Sequence, residues 1–290
     1  MPSHIRARGA ITAVGLSIAL AIGLAPSQAD AISVEWNLAS PSGTSCCADS
    51  NGDGNIRTFT ASGNTVKVMS FGKTGGSSNT ELRTAELGQY SGGLGVTDQD
   101  EGSGGSNSHT VDNRNRLNFV VFLFDKPMDA ESMTMNLFHN QGSNPDHDGD
   151  ISAWAGNYAD AGAGDHSALA VSLRDNLAAN SNNTDVARLD SLFGGSHQSF
   201  SFTAVNSPSN PYAVNLGSLS NGGNVLIIAA DVDPGASGHD SVFDYFKIKS
   251  ITASQQQPRV PGPAPALLLG AGLAGVGLLS ARRARRRPAS

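Results

Sequence analysis

The stretch of sequence that decides the fold is Leu-Asn-Phe-Val-Val-Phe-Leu-Phe at residues 117–124. Most of these residues are aromatic or β-branched, the types that are enriched in strands. Polar residues at 114–116 and 125–127 bound the run on both sides. A strand with one face in solvent alternates apolar and polar residues. Because this run is apolar at nearly every position, it predicts a central strand that is buried on both faces.

Short apolar runs recur on both sides of this strand, separated by segments rich in Gly, Ser, Asn and Asp. Residues 132–139 place Met133, Met135 and Leu137 at alternate positions, which predicts a second strand. The other predicted strands are 34–38, 56–61, 65–71, 81–87, 151–155, 200–204, 212–216, 225–231 and 243–251. About ten strands at this spacing predict an all-β fold, a jelly-roll-like β-sandwich.

One part of the chain has helical periodicity. Leu169, Leu173 and Leu177 recur every four residues, which places them on one face of a helix. Thr184 and Asp185 come next, and either residue type can cap a second helix over 186–193. We therefore expect a helical insertion, although a strand over 168–173 is an alternative.

Both ends of the chain have the composition of targeting segments. Arg6 and Arg8 precede an uncharged apolar run over 10–24, and Ala29-Asp30-Ala31 is a small-x-small cleavage site. This order predicts a signal peptide over 1–31 and a mature chain that starts at Ile32.

The C-terminal segment 255–290 has three parts. Val-Pro-Gly-Pro-Ala at 260–264 leads into an apolar run at 265–281, and five arginines follow within 282–287. The apolar run would span about 25 Å as a helix, close to the shortest length that crosses a bilayer core. The arginines are expected to stay on the cytoplasmic side. The alternative is a buried core helix with a basic tail, but the run has no polar face.

This three-part tail resembles the PEP-CTERM sorting signal of Gram-negative bacteria, in a Val-Pro form. The resemblance implies that Val260, Pro261 and Pro263 are recognised by exosortase, a membrane transpeptidase. Gly262 stands where the usual signal has Glu. The resemblance further implies removal of the leader by signal peptidase, a transient stop in the inner membrane, and delivery to the cell surface or the exopolysaccharide matrix.

The segment between the two ends, predicted as an ectodomain over 32–254, carries a second resemblance. Its short motifs lie at 93–96, 109–113, 148–152, 210–212 and 244–248. This succession is similar to a group of exosortase-dependent surface proteins that share one β-sandwich, and it implies no particular catalytic activity. Residues 156–196 depart from the pattern.

The ectodomain is more acidic than the whole chain. The whole chain has a formal net charge of -6, but eight of its 19 Lys and Arg residues lie in the two terminal segments. Proteins that bind nucleic acid need basic surfaces, so this balance excludes them as a class. It is compatible with divalent cations or a hydrated polysaccharide, and equally with plain solubility outside the cell.

Two acidic loops are candidate calcium sites. Asp49, Asn51, Asp53 and Asn55 match the first half of a calcium-binding loop, but Thr60 stands where such a loop has its bidentate Glu. The alternative is a tight β-turn.

The second acidic loop places Asp146, Asp148 and Asp150 at alternate positions. If the loop curls, the three carboxylates can face one cation. The alternative is a solvated loop that leads into the next strand.

Two further features suggest a role in ligand binding. Cys46 and Cys47 are the only cysteines, and in an oxidising compartment they predict either a vicinal disulfide or pairing with other molecules.

Trp154 follows the second acidic loop and could stack on a sugar ring, although it could equally be a core residue.

The overall interpretation is a non-enzymatic exported surface or matrix protein that binds calcium or exopolysaccharide. The alternative is a polysaccharide-degrading enzyme, which would need two carboxylates about 5–10 Å apart across a cleft. The chain contains no HExxH or GxSxG motif.

Overall fold

The computed structural model describes residues 31–39, 43–74, 81–99, 109–114, 116–138, 147–178, 186–193, 197–202, 210–219, 222–232 and 243–256. Their strands are β1 (Ser33–Asn37), β2 (Thr44–Cys46), β3 (Ile56–Ala61), β4 (Asn64–Thr74), β5 (Glu81–Tyr90), β6 (Gly93–Thr97), β7 (Val111–Asp112), β8 (Asn118–Leu137), β9 (Ile151–Gly156), β10 (Gln198–Phe200), β11 (Tyr212–Asn215), β12 (Gly223–Ala230) and β13 (Tyr245–Gln255). Two helices, α1 (His166–Ala178) and α2 (Val186–Leu192), lie between β9 and β10. The protein is therefore mostly β, as the sequence predicts.

The segment Ala31–Gln257 forms one compact unit. The predicted signal peptide up to Asp30 lies outside the described residues, as do the sorting motif 260–264, the apolar run 265–281 and the basic tail. Within the part of the chain that the structure describes, no helix is long and apolar enough to cross a membrane.

Strand β8 holds the sheet together because it pairs with four other strands. Its first half pairs with β4 on one edge and with β12 on the other. Its second half pairs with β13 and β11 in the same way. The sequence predicts two strands here, and that prediction is wrong because β8 runs on through residues 125–127. Pairing with β4 stops at Phe124 and pairing with β13 starts at Met128, so Pro127 lies where its missing N–H costs no ladder hydrogen bond.

The first half of β8 is buried on both faces, which confirms the prediction from 117–124. Val120, Phe122 and Phe124 belong to a hydrophobic core formed by side chains of the strands. Phe119 and Leu123, which lie at the alternate positions, belong to a second core that the helices cover. Alternate side chains of one strand therefore serve two separate cores.

The second core confirms the predicted helical insertion. Leu173 and Leu177 of α1 are each only 1% exposed, and the predicted alternative, a strand over 168–173, is wrong. Helix α1 begins after Asp165, whose side chain accepts hydrogen bonds from the backbone N–H groups of Ser167 and Ala168. This carboxylate is therefore the N-cap of the helix. The predicted cap of α2 at 184–185 lies outside the described residues.

The antiparallel pairings form a closed circuit from β8 through β13, β6, β5 and β4 back to β8. Strand β5 closes it by pairing with β4 through its first half and with β6 through its second half. Strand β6 is not among the predicted strands, because Gly93 and Gly95 weaken its strand pattern. A Cβ at Gly95 would overlap the carbonyl oxygen of His109, so this position requires glycine for close packing of two backbone segments.

Leu173→Ala should lower the free energy of unfolding by about 2–5 kcal/mol, because it opens a cavity between α1 and the sheet. Leu192→Ala is the matched control, since Leu192 lies on α2 with 41% of its surface exposed, and it should cost less than about 1 kcal/mol. Urea unfolding followed by circular dichroism measures both. Equal losses for the two variants would contradict the packing of α1 on the sheet.

Candidate metal centre

Three aspartates meet where the ends of several strands come together. Asp148 and Asp150 lie just before β9, and Asp244 lies just before β13. The end of β12 is brought to the start of β9 by the pairing of Ala230 with Ile151. The start of β13 is held by the pairing of Tyr245 with Asp112 of β7. Sheet pairing therefore fixes the backbone on which all three carboxylates are carried.

The three carboxylates are close together and almost inaccessible to solvent. Asp148, Asp150 and Asp244 are 1%, 3% and 1% exposed, and each offers a ligand oxygen within 4.8 Å of the others. In the part of the chain that the structure describes, this is the only group of three or more acidic, His or Cys side chains with such geometry. Buried like charges repel strongly unless a proton or a cation neutralises them. The group could therefore hold a metal ion.

Asp244 is at the centre of the hydrogen bonds in this site. Its Oδ1 accepts a hydrogen bond of 2.7 Å from the backbone N–H of Asp150. Its Oδ2 accepts hydrogen bonds from the Asn113 side chain at 2.6 Å and from the backbone N–H of Asp231 at 3.2 Å. Asn113 in turn accepts a hydrogen bond of 3.0 Å from the backbone N–H of Asp244. Both carboxylate oxygens are thus oriented by donors from three other segments of the chain.

Two effects on the protonation state of Asp244 oppose each other. Burial raises the pKa of Asp244 to about 9, and the negative charges of Asp148 and Asp150 contribute to this rise. Its oxygens nevertheless accept hydrogen bonds from N–H groups of Asp150, Asn113 and Asp231, an arrangement that suits an ionised carboxylate. A bound cation would offset the cost of burying the charge and would stabilise the ionised form without removing these hydrogen bonds.

The other two carboxylates are also oriented by the backbone. Asp148 Oδ1 accepts a hydrogen bond of 2.8 Å from the N–H of Gly149, and Asp150 Oδ1 accepts one from the N–H of Phe202. The carbonyl oxygen of Asp148 accepts a hydrogen bond of 3.3 Å from Tyr245 N–H. The loop before β9 is therefore connected to β13 and to the segment after β10.

The sequence names two of these three residues as candidate calcium ligands. Asp148 and Asp150 do lie together, whereas Asp146 lies outside the described residues. Asp244 was missed as a ligand because it is 94 residues from Asp150. A signal was present in the sequence, since Asp244 directly precedes an apolar strand in the same way as Asp150.

The first predicted calcium loop folds as a tight turn. Asp49 Oδ1 accepts hydrogen bonds from the N–H groups of Asn51 at 2.8 Å and Asp53 at 3.0 Å. The Asn55 side chain both donates to and accepts from the backbone of Leu87, at 2.9 and 2.7 Å. The Asn55 side-chain amide therefore hydrogen-bonds to β5. Calcium binding by this loop stays a prediction.

The two cysteines form a vicinal disulfide between Cys46 and Cys47. Both residues are exposed, and Cys47 has a positive φ of 69°. Arg174 of α1 donates hydrogen bonds to the carbonyl oxygens of Cys47 at 2.9 Å and Gly54 at 3.1 Å. The disulfide thus lies in a local turn that is tied to the helical insertion.

Trp154 lies in the second core, where its ring is not available to stack on a sugar. It is 3% exposed, packs near Phe119 and His197, and donates a hydrogen bond of 2.7 Å from Nε1 to Asp190. This position corrects the predicted glycan contact. The indole is buried because β9 lies in the sheet under the two helices.

Comparison with protein-family models, with curated proteins and with solved structures finds no match for the chain.

In the presence of a chelator, the melting temperature of Ala31–Gln257 should fall as the pH rises from about 4 towards 9. The pKa of Asp244 is about 9 in the folded protein but about 3.9 in an unfolded chain. The stability that protonation of Asp244 provides is thus complete at low pH and is lost as the pH approaches the folded-state pKa.

Scanning calorimetry across this pH range measures the effect. Asp244→Asn should reduce the fall, because the side chain no longer titrates. Asp125→Asn, at an exposed position, should retain it. A fall of equal size in both variants would show that another group is responsible.

Proposed function

We propose that the protein is an exported, non-enzymatic surface or matrix protein whose β-rich ectodomain, residues 32–254, binds calcium at Asp148, Asp150 and Asp244. The observation that carries this proposal is the burial of three carboxylates with ligand oxygens within 4.8 Å of one another. Such a group is costly in a protein interior, and a divalent cation removes the cost.

The chemistry of the donors favours calcium among the common metals. All three ligand groups are carboxylates, which are hard oxygen donors that suit Ca²⁺, Mg²⁺ or Mn²⁺ better than zinc or copper. Calcium takes about six to eight oxygens in flexible geometry, so the three carboxylates would be completed by carbonyl oxygens or water. Extracellular calcium modules bind with dissociation constants of about 10⁻⁴–10⁻³ M, which suits a protein outside the cell.

The position of the site gives the cation a structural role. Asp148 and Asp150 precede β9, and Asp244 precedes β13. An ion between them would join two strand ends that are far apart in sequence. It would also hold the segment after β7 through the hydrogen bond between Asn113 and Asp244.

The same geometry favours cation binding over glycoside hydrolysis at this site. A hydrolase places its two carboxylates on opposite sides of a cleft that admits a sugar, about 5–10 Å apart. The carboxylates of Asp148, Asp150 and Asp244 are nearly inaccessible and offer oxygens within 4.8 Å. We therefore do not propose the polysaccharide-degrading alternative for this group.

The delivery route is proposed from the targeting segments. Signal peptidase would remove residues 1–31, and exosortase would recognise Val260, Pro261 and Pro263 while the segment 265–281 is in the inner membrane. The ectodomain released at the surface or in the exopolysaccharide matrix would be a jelly-roll-like β-sandwich. The antiparallel pairing of the described strands is compatible with that architecture.

Calcium should raise the melting temperature of Ala31–Gln257 at pH 7.5, because it binds only the folded protein. Saturation at about 100 times the dissociation constant corresponds to about 2.7 kcal/mol. Asp244→Asn and Asp150→Asn should abolish the shift. Asp49→Asn and Asp125→Asn should retain it, the first because Asp49 belongs to the other loop. Thermal melts in calcium and in chelator measure all five proteins.

Loss of the shift in Asp49→Asn alone would place calcium at the loop of Asp49–Asn55 instead. The absence of any shift in the wild-type protein would refute calcium binding.

Pro261→Ala together with Pro263→Ala should keep the full-length protein in the inner-membrane fraction of an exosortase-containing host, because recognition of the motif would be lost. The wild-type protein should appear in the surface or medium fraction. Fractionation followed by immunoblotting measures the distribution. Equal release of the variant and the wild-type protein would contradict sorting through this motif.

A further inference from the structure

A group of partly exposed side chains lies on the outer face of the sheet, on the side opposite the first core. We name it the Tyr90–Lys247 patch, and it consists of Tyr90, His109, Asn136, Phe138 and Lys247. Its side chains come from the end of β5, from the segment before β7, from β8 and the residue after it, and from β13. The patch is therefore built on β8 and β13, which pair with each other, and on β5, which is connected to β13 through β6.

Strand alternation explains why these side chains face outward. The neighbours of Lys247 along β13 are Phe246 and Ile248, and both belong to the first core. On β8, Met135 and Leu137 flank Asn136 and point into the same core. Because successive side chains of a strand lie on opposite faces, Lys247 and Asn136 lie on the outer face.

The ammonium group of Lys247 lies against two aromatic rings. Its Nζ is 4.0 Å from the centroid of the Tyr90 ring and 5.0 Å from the centroid of the Phe138 ring. Both distances are within the range of a cation–π attraction. These contacts hold the ammonium in place without using its three N–H donors.

The Tyr90 ring is itself held in place. It stacks on the His109 ring with a centroid distance of 5.5 Å and an interplanar angle of 25°. His109 Nδ1 is hydrogen-bonded to Thr97, and Thr97 also bonds to the Tyr90 side chain. Gly88 lies beneath the ring, since a Cβ there would overlap it. The ring thus lies flat against the sheet at a position that has no side chain.

Asn136 fixes the opposite edge of the patch. Its side-chain amide donates a hydrogen bond of 3.0 Å to the carbonyl oxygen of Gly92. The backbone N–H of Phe138 donates to the carbonyl oxygen of Tyr245 at 2.8 Å. The patch is therefore pre-organised by hydrogen bonds on both sides, which reduces the entropy that a ligand must overcome.

The charge of the patch is opposite to that of the chain around it. The whole chain has a formal net charge of -6, and no ion pair joins Lys247 to a carboxylate in the part that the structure describes. Burial lowers the pKa of Lys247, so its ammonium is partly removed from water without an acidic partner among the described residues. An anionic ligand would supply that partner as a charge-assisted hydrogen bond.

We propose that the Tyr90–Lys247 patch binds an acidic saccharide of the hexuronate type, with the carboxylate at Lys247 Nζ and the sugar ring against the Phe138 ring. The apolar C–H face of a pyranose fits an aromatic ring, and the carboxylate distinguishes a uronate from a neutral sugar. The inference rests on the proposed extracellular location for the source of the ligand, and it is independent of the calcium site.

Affinity electrophoresis of Ala31–Gln257 tests the proposal, with polygalacturonate in the gel and chelator in the buffer. Fully methyl-esterified polygalacturonate is the matched neutral polymer, since it has the same sugar backbone. The wild-type protein should be retarded by the acid and much less by the ester. Lys247→Met should weaken retardation at least about tenfold. Lys126→Met, the same change at the middle of β8, should stay within about twofold.

One further variant and the chelator keep the test decisive. Lys247→Arg retains the charge and the aromatic contacts, so it should bind within about threefold of the wild-type protein even if Lys247→Met is poorly folded. The chelator in the buffer separates this site from the calcium site. The proposal is overturned if the wild-type protein is not retarded, if acid and ester retard it equally, or if Lys126→Met weakens binding as much as Lys247→Met.

Discussion

The buried carboxylates of Asp148, Asp150 and Asp244 impose the strongest electrostatic constraint on this structure. Three such groups with oxygens within 4.8 Å cannot all be ionised in a protein interior unless a cation accompanies them. Asp244 is also the residue through which the segments after β7 and β12 are connected to the start of β13. The state of this one carboxylate therefore affects how several strand ends are held together.

Strand β8 provides the framework that brings the carboxylates together. It pairs with β4 and β12 through its first half and with β13 and β11 through its second half. Strand β9 is positioned by β12, and β13 is positioned directly by β8. The positions of the acidic residues that precede β9 and β13 therefore depend on β8. The helices contribute by covering the other face of β8 with a second core.

The parts that could be predicted from the sequence depend on local patterns. Burial of 117–124 on both faces follows from its continuous apolar character, and α1 follows from the spacing of its leucines. Asp148 and Asp150 were found because they are two residues apart. Asp244 was not found, because its proximity to Asp150 arises only when β12 and β13 are both paired. Strand β6 was also missed. Its Gly95 is required because a neighbouring segment of the chain packs closely against it, and the local sequence pattern does not show that contact.

We infer that a cation neutralises the three buried carboxylates. A crystal structure of Ala31–Gln257 grown with calcium tests it most directly, with anomalous scattering to identify the ion. We expect one calcium bound by oxygens of Asp148, Asp150 and Asp244 at about 2.3–2.6 Å. A structure with the three carboxylates in this arrangement and no ion between them, despite saturating calcium, would contradict it.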